Sequence, residues 1–306
     1  MRKVLVATDK PFAKTASDQI REIFDQAGYQ CNFLEKYGDQ QNFVQAVADA
    51  EAIIIRSDIV DDELMAAAPN LKIVVRAGAG YDNVDLKAAT ARDVVVMNTP
   101  GQNSNAVAEL AFGMMLYQIR NRFSGGSGTE LMGKTLGIHG YGNIGKHVGR
   151  IAKGFGMTVY AYHHNPARNA EIEQDGISPV NSPEELYKKC QYISLNIPAR
   201  EQNKKIINKD LLGLMPENAM LVNTARKEVI CEDSLKQIFA ERKDFSYVSD
   251  LAPGNAAELA EYANRMFFPP KKMGAQTAEA NINAGLAAAR QIIAFFKDND
   301  IRFKVN

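Results

Sequence analysis

Short, uninterrupted apolar runs alternate along the chain with segments whose apolar residues recur at helical spacing, and this alternation most restricts the fold. Val4–Ala7, Ala52–Ile55, Ile73–Val75 and Val94–Met97 are apolar at every position. They are too short for amphipathic helices and too continuous for strands with one wet face, so they predict strands covered on both sides. Helical stretches near Ala16–Gln26, Gln41–Ala48 and Glu63–Ala67 lie between them. Such a succession folds into a parallel sheet with helices on both faces. A second series starts at Thr135, with strands expected at Leu136–His139, Thr158–Tyr162, Tyr192–Asn196, Met220–Asn223 and Tyr247–Asp250. Between the two series, Ala106–Ile119 predicts a long apolar helix, followed by the flexible Ser124-Gly-Gly-Ser-Gly128. A last helix is expected over Ala278–Phe296. The 306 residues suffice for two domains with a core each. The fold class expected is α/β, with two doubly wound parallel-sheet domains.

Lysine plus arginine and aspartate plus glutamate both number 36. The zero net charge argues against a broad electrostatic footprint for nucleic acid or an anionic membrane. No apolar stretch of signal-peptide or membrane-spanning length follows Met1–Thr8. Cys31, Cys190 and Cys231 are far apart and form no CxxC pair, so neither a disulfide framework nor a metal site is expected. Reduced thiols and a cytoplasmic location are.

Gly140-Tyr-Gly-Asn-Ile-Gly145 matches the GxGxxG pattern of dinucleotide binding. Alone it is a weak signal; its setting strengthens it. The apolar run Leu136–His139 leads in, Ile144, Val148, Ile151 and Phe155 follow at helical spacing, and Thr158–Tyr162 completes a βαβ unit. Glycines Gly140, Gly142 and Gly145 permit a tight turn and close approach of a pyrophosphate, and the helix start at Asn143 and Ile144 supplies unpaired N–H donors. The acidic residue that normally closes the second strand and binds the ribose hydroxyls is missing. That place reads Tyr162-His-His-Asn-Pro166. His163 there suits either a ribose hydroxyl or, with Arg168, a 2′-phosphate. NAD is the expected cofactor, with NADP left open.

From Arg56 onward the chain resembles the D-2-hydroxyacid dehydrogenases, the phosphoglycerate dehydrogenases among them especially. The matching blocks are Ile55-Arg-Ser57, Arg76-Ala-Gly78 through Asp85, Asn98-Thr-Pro-Gly-Gln-Asn103, Ala108-Glu-Leu110, Gly133–Gly137, Leu221-Val-Asn-Thr-Ala-Arg226 and Gly274-Ala-Gln-Thr277. The resemblance implies a flavodoxin-like substrate domain (1–98 and 279–306) and a Rossmann cofactor domain (99–278), with the active site in the cleft between them. It also implies a homodimer, although the stretch from Arg120 to Gly133, which normally carries dimer contacts, is short here. Serine feedback through an appended regulatory domain is not expected of a chain ending at Asn306.

Carried over by position, Arg226 resembles the family's catalytic arginine, which binds the substrate carboxylate and polarises the C2 oxygen. Asp250 resembles the aspartate that accepts from the nicotinamide carboxamide. Pro198, Thr224 and Ala225 fall at further cofactor contacts. Arg56, Ser57, Arg76, Gly78 and Asn103 match positions that hold the acid and phosphate groups of the substrate, and two arginines favour a dianion. Lys10 reads as solvated surface.

One departure bears on mechanism. The family's catalytic histidine precedes the block at Gly274, and here no histidine stands there: His139, His147, His163 and His164 all lie in the dinucleotide half. Counting back without a gap places Lys272, next to Lys271, in its position; the partner glutamate's position reads Asn255. A lysine needs no carboxylate to hold its proton, so the two changes are consistent. Lys272 is expected as the acid/base, made competent by burial near Arg226, with an alkaline optimum for oxidation. The implied reaction is NAD-dependent oxidation of D-3-phosphoglycerate to 3-phosphohydroxypyruvate, as in serine biosynthesis. The alternatives are a hydroxypyruvate/glyoxylate or other D-2-hydroxyacid reductase, and a catalytically inactive NAD-sensing protein. The partner expected in each enzymatic case is a small anionic 2-hydroxy or 2-oxo acid.

Overall fold

The structure, a computed structural model, describes residues 1–306. In chain order its elements are β1 (Lys3–Thr8), α1 (Lys14–Gln26), β2 (Gln30–Glu35), α2 (Gln40–Ala46), β3 (Ala52–Ile55), α3 (Asp62–Ala66), β4 (Ile73–Arg76), α4 (Leu86–Ala91), β5 (Val95–Asn98) and α5 (Ser104–Ile119). They continue with β6 (Thr135–His139), α6 (Asn143–Gly154), β7 (Thr158–Tyr162), α7 (Asn169–Gln174), β8 (Ser178–Pro179), α8 (Pro183–Lys189), β9 (Tyr192–Leu195) and α9 (Lys209–Gly213). The last are β10 (Met220–Asn223), α10 (Glu232–Glu241), β11 (Ser246–Ser249), β12 (Met266–Phe267) and α11 (Ala278–Asp298). The chain forms two compact units, Met1–Asn103 with Ala275–Asn306, and Ser104–Gly274, so that 99–103 and 275–278 go with the first unit.

The first unit holds a five-stranded sheet in the order β2-β1-β3-β4-β5, every pairing parallel. Successive strand residues point to opposite faces. Val4, Val6, Ile54 and Val75 pack against Ile20 and Phe24 of α1 and Ala288 and Ile292 of α11. Leu5, Ile53, Val74 and Val96 pack on the other side against Phe43 and Leu64. Both faces are covered, which is why these runs carry no polar alternation. Strand β2, Gln-Cys-Asn-Phe-Leu-Glu, escapes sequence reading because it lies at an edge and leaves Gln30, Asn32 and Glu35 exposed. The opposite edge is shielded by the chain end: Val305 donates to the Val96 carbonyl (2.9 Å) and Asn306 Oδ1 accepts from the Val96 amide (2.8 Å). Asp39, Asp61, Asp85 and Thr277 cap α2, α3, α4 and α11 by accepting from first-turn amides.

The second unit holds a seven-stranded parallel sheet in the order β12-β11-β10-β9-β6-β7-β8. One face packs against α5 and α6 through Phe112, Met115, Val148 and Ala152. The other packs through Leu186, Leu212, Leu235 and Phe239 of α8, α9 and α10. The sheet-facing seam of α6 is Gly145, Val148, Gly149 and Ala152. Ile144 and Ile151 are only partly buried, and Phe155 stacks on Phe112 with ring centroids 5.3 Å apart. The small residues bring α6 close to the sheet: a Cβ on Gly149 would lie 2.4 Å from Ile177 Cδ1. No helix is long and apolar enough to cross a membrane. Burial pushes the Cys31 and Cys190 thiols up to about 12, where thiolate chemistry is suppressed.

Gly137 in β6 leaves no spare room, since a Cβ there would lie 2.6 Å from Ile193 Cδ1 and 2.9 Å from Leu186 Cγ. Gly137→Ala is expected to lower unfolding free energy by about 1–3 kcal/mol, the usual range for overpacking. Urea denaturation measures it, and a variant as stable as the native protein would show slack between β6 and α8.

Candidate active site

One row of paired residues organises the second unit. Tyr162 pairs with His139, His139 with Leu195, Leu195 with Asn223, and Asn223 with Ser249. The next residue along each strand is therefore His163, Gly140, Asn196, Thr224 and Asp250. Main-chain hydrogen bonds hold this second row in place: Gly140 N to Tyr162 O (2.9 Å), Asn196 N to His139 O (2.8 Å) and Asp250 N to Asn223 O (3.1 Å). Three of its side chains carry buried oxygens with no hydrogen-bond partner, Asn196 Oδ1, Thr224 Oγ1 and Asp250 Oδ2. Unpaired buried polar atoms are unfavourable, and in doubly wound sheets ligands bind beyond the carboxyl ends of the strands. Together these atoms mark a ligand position.

The glycine turn from β6 into α6 fits a dinucleotide. Gly140 has φ +101°, and a Cβ on it would meet the Asn196 carbonyl oxygen at 2.8 Å. A Cβ on Gly145 would lie 2.5 Å from the Gly140 oxygen, so this residue lets the helix start close to the strand. Gly142 is the N-cap and has nothing within 4 Å of a built Cβ. No side chain caps α6, which leaves the amides at exposed Asn143 and at Ile144 for an anion. Beside the turn is a cleft of about 390 Å³ whose lining includes Gly140, Gly142, His163, Pro198 and Arg200. A pyrophosphate and an adenosine fit this combination.

Beyond β10, the buried Asn223 shapes the turn that carries Thr224, Ala225 and Arg226. Its Oδ1 accepts from the Ala225 amide (3.0 Å) and its Nδ2 donates to the Arg226 carbonyl (3.1 Å). Arg226 itself is half-buried and donates to the Ala225 carbonyl (2.9 Å). Asp250 is 1% exposed. Burial raises its carboxyl above the usual carboxylate range, opposed by the charges of Lys272 and Arg226 and by the Gly274 amide. The buried carboxylate thus gathers the two cations expected at the active site. Lys272 is exposed, as is Lys271, so the surroundings do not supply the burial expected for a lysine base. Asn255 donates from Nδ2 to the Glu232 carbonyl (3.0 Å) and leaves its Oδ1 buried without a partner, which fits a holding role for its loop.

The first unit repeats the pattern with cations. Ala7, Ile55, Arg76 and Asn98 share a row across β1, β3, β4 and β5. Thr8 and Thr99, each following a strand residue of that row, carry buried hydroxyls without a partner. Arg56 Nη1 donates to the Lys10 and Pro11 carbonyls (2.9 and 3.1 Å), and its Nη2 to Asn281 Oδ1 (2.5 Å). Much of its donor capacity therefore ties the 10–12 loop to α11. Arg76 Nε donates to the Arg56 carbonyl (3.0 Å), and its guanidinium crosses the face of Gly78, where a built Cβ would lie 1.4 Å from Nη1. Gly78, at φ +150°, is required for that path. Ser57 is exposed and Asn103 half-buried at the unit's end. Lys10 is exposed and contributes its carbonyl rather than its charge.

Residues 104–266 match the model of the D-isomer-specific 2-hydroxyacid dehydrogenase NAD-binding domain. The chain belongs to that family. It is 32% identical to a hydroxypyruvate reductase of Thermotoga maritima, over 83% of this chain and 87% of the relative. It is 34% identical to a D-3-phosphoglycerate dehydrogenase of Methanocaldococcus jannaschii over 83% of this chain and 51% of the relative. The chain therefore spans about half the length of the phosphoglycerate dehydrogenases it matches by sequence. Among solved structures it is similar to the NAD+-bound 3-phosphoglycerate dehydrogenase of Entamoeba histolytica, with 44% identity, a TM-score of 0.86, and coverage of 100% of this chain and 98% of that one. The glycine turn and the orphaned oxygens of Asn196, Thr224 and Asp250 all lie in Ser104–Gly274, the unit that contains the family's NAD-binding domain.

Sequence reading overlooked Asn196, Asn223, Arg200 and His139 as site residues. Their position at or just beyond strand ends was the available signal for the first two. His139 also bears on stability. Burial lowers its imidazole to about 4, against a weak opposing pull from Glu184. Between pH 6.5 and 4 the unfolded chain binds a proton that the folded one refuses, so stability is full above that window and falls as pH drops through it. The loss expected is about 3 kcal/mol at 1.36 kcal/mol per unit. Urea titrations at pH 7 and 4.5 should show a smaller acid penalty for His139→Gln than for the native chain, and equal penalties would refute the assignment.

Proposed function

We propose that the protein oxidises D-3-phosphoglycerate to 3-phosphohydroxypyruvate with NAD, and runs the reverse reduction. The observation that carries this reading is the buried Asp250, whose free oxygen lies at a strand end while Lys272 and Arg226 both act on its charge. Names among its relatives support the substrate class, as do two arginines at the polar edge of the first unit.

When bound, NAD supplies an acceptor for the hydrogen that leaves C2 as hydride. Lys272 Nζ takes the C2 hydroxyl proton in oxidation, and as an ammonium returns it in reduction. Arg226 pairs with the carboxylate and stabilises charge on the C2 oxygen. Asp250 Oδ2 would accept from the carboxamide of the nicotinamide with Thr224 Oγ1 beside it, and Asn196, which lines the cleft at the glycine turn, would hold the other half of the dinucleotide. Asn223 holds the Arg226 turn. Bound substrate and cofactor would desolvate the exposed Lys272, and desolvation favours the neutral amine needed for oxidation.

A second reading, hydroxypyruvate reduction, is favoured by Arg56, because that guanidinium already serves two carbonyls and Asn281. Steady-state rates with NADH on 3-phosphohydroxypyruvate, hydroxypyruvate and pyruvate separate the two. The phosphorylated acid should give the highest kcat/KM, and a preference for hydroxypyruvate would transfer the assignment. Lys272→Ala should lower kcat at least about a hundredfold, the usual scale of acid–base catalysis, with NADH affinity retained. Unimpaired turnover would remove Lys272 from the mechanism. Tight NADH binding without turnover of any 2-oxo acid would favour a sensor.

The assembly we expect is a homodimer using the 120–133 segment, where Phe123 is 68% and Met132 71% exposed. Sedimentation should give twice the chain mass, and Phe123→Ser should weaken the association.

A further inference from the structure

We propose that the dinucleotide cleft contains a 2′-phosphate subsite formed by His163, His164 and Arg200, so that the protein takes NADP(H) as well as NAD(H). The inference rests on the dinucleotide reading given above and concerns only its adenosine end.

A carboxylate at the close of the second strand accepts hydrogen bonds from the ribose hydroxyls and repels a phosphate. In this chain β7 ends at Tyr162 and the next two residues are histidines. Both line the cleft, and none of its lining residues is aspartate or glutamate; the one formally charged lining side chain is Arg200. His163 Nδ1 lies 3.1 Å from the Asn165 amide nitrogen and 3.3 Å from the Asn165 carbonyl oxygen. The shorter approach comes from a group that can only donate. It keeps Nδ1 bare in the neutral ring and leaves the proton on Nε2. His163 therefore presents a donor where NAD-selective sites present an acceptor. The His164 ring lies beside it, centroids 4.3 Å apart.

Neighbouring charges do not restore the missing carboxylate. Glu171 is taken up by Lys146 and by Arg168, whose Nε lies 3.1 Å from it. Arg168 also donates to the Tyr141 carbonyl (3.3 Å) and does not line the cleft, so the phosphate partner suggested by sequence position is replaced by Arg200. Glu184 is the second residue of α8, and its own amide and the Ser182 hydroxyl hold its carboxyl below the usual carboxylate range. Arg200 makes no ion pair within the chain. A 2′-phosphate brings acceptor oxygens only, and charge-assisted bonds to it are the stronger kind.

The experiment is calorimetric titration of the cofactor-free protein with adenosine 5′-monophosphate and with adenosine 2′,5′-bisphosphate, repeated on His163→Asp and Arg200→Ala. The native protein should bind the bisphosphate at least as tightly as the monophosphate. His163→Asp should weaken the bisphosphate by about tenfold or more while sparing the monophosphate, a difference of roughly 1.4 kcal/mol. Arg200→Ala, a change at an exposed residue, should weaken the bisphosphate several-fold, roughly the loss of one charge-assisted bond. If the native chain binds the monophosphate but holds the bisphosphate about tenfold more weakly, this inference fails and the NAD reading stands. If it binds neither, both fall.

Discussion

In-register parallel pairing is the constraint on which the rest depends. Because β7, β6, β9, β10 and β11 run the same way and share one row, their last main-chain groups are tied to one another and the following residues emerge side by side. The amides of Gly140, Asn196 and Asp250 are already satisfied, so the side chains at this row are free to serve a ligand. Three of them carry oxygens that nothing in the chain satisfies. Leaving such atoms unpaired is unfavourable, a cost that the dinucleotide of the proposed function would relieve.

Two kinds of close approach then convert an edge into a site. At Gly140 and Gly145 the absence of a Cβ lets the strand turn onto the helix start and exposes uncapped amides. At Gly274 a Cβ would lie 2.9 Å from Asp250 Oδ2, so glycine allows the segment bearing Lys272 to lie against the buried carboxylate. Burial disfavours the charge on Asp250, and two nearby cations oppose that effect in part. Lysine, arginine and aspartate are thereby coupled, although they come from three separate stretches of sequence.

The first unit uses the same geometry for a different end. Its row closes on Arg76 and is followed by Arg56, with unpaired threonine hydroxyls on either side. There the guanidinium of Arg56 is partly spent on loop carbonyls, and burial lowers its affinity for the proton. An anion meeting this edge finds a cation already anchored, which limits the conformational freedom lost on binding.

The sequence alone determined the layer architecture. Runs such as Ala-Ile-Ile-Ile at 52–55 are stable only when both faces are covered, and Gly140, Gly142 and Gly145 between a strand and a helix admit few other turns. It missed the edge strands β2, β8 and β12, which bury too little to need a continuous apolar run, and it named no helix at α4 or at α7 to α10, most of them too short to show a period. Only the tertiary structure decided which charges are engaged. It gave Arg168 to Glu171 and Arg56 to two carbonyls, left Lys272 exposed, and brought Arg200 to the cleft. Apolar patterning is local, since each residue's need for burial is its own. A charge's role depends on partners far away in sequence, and those are fixed only when the sheet has aligned its strands.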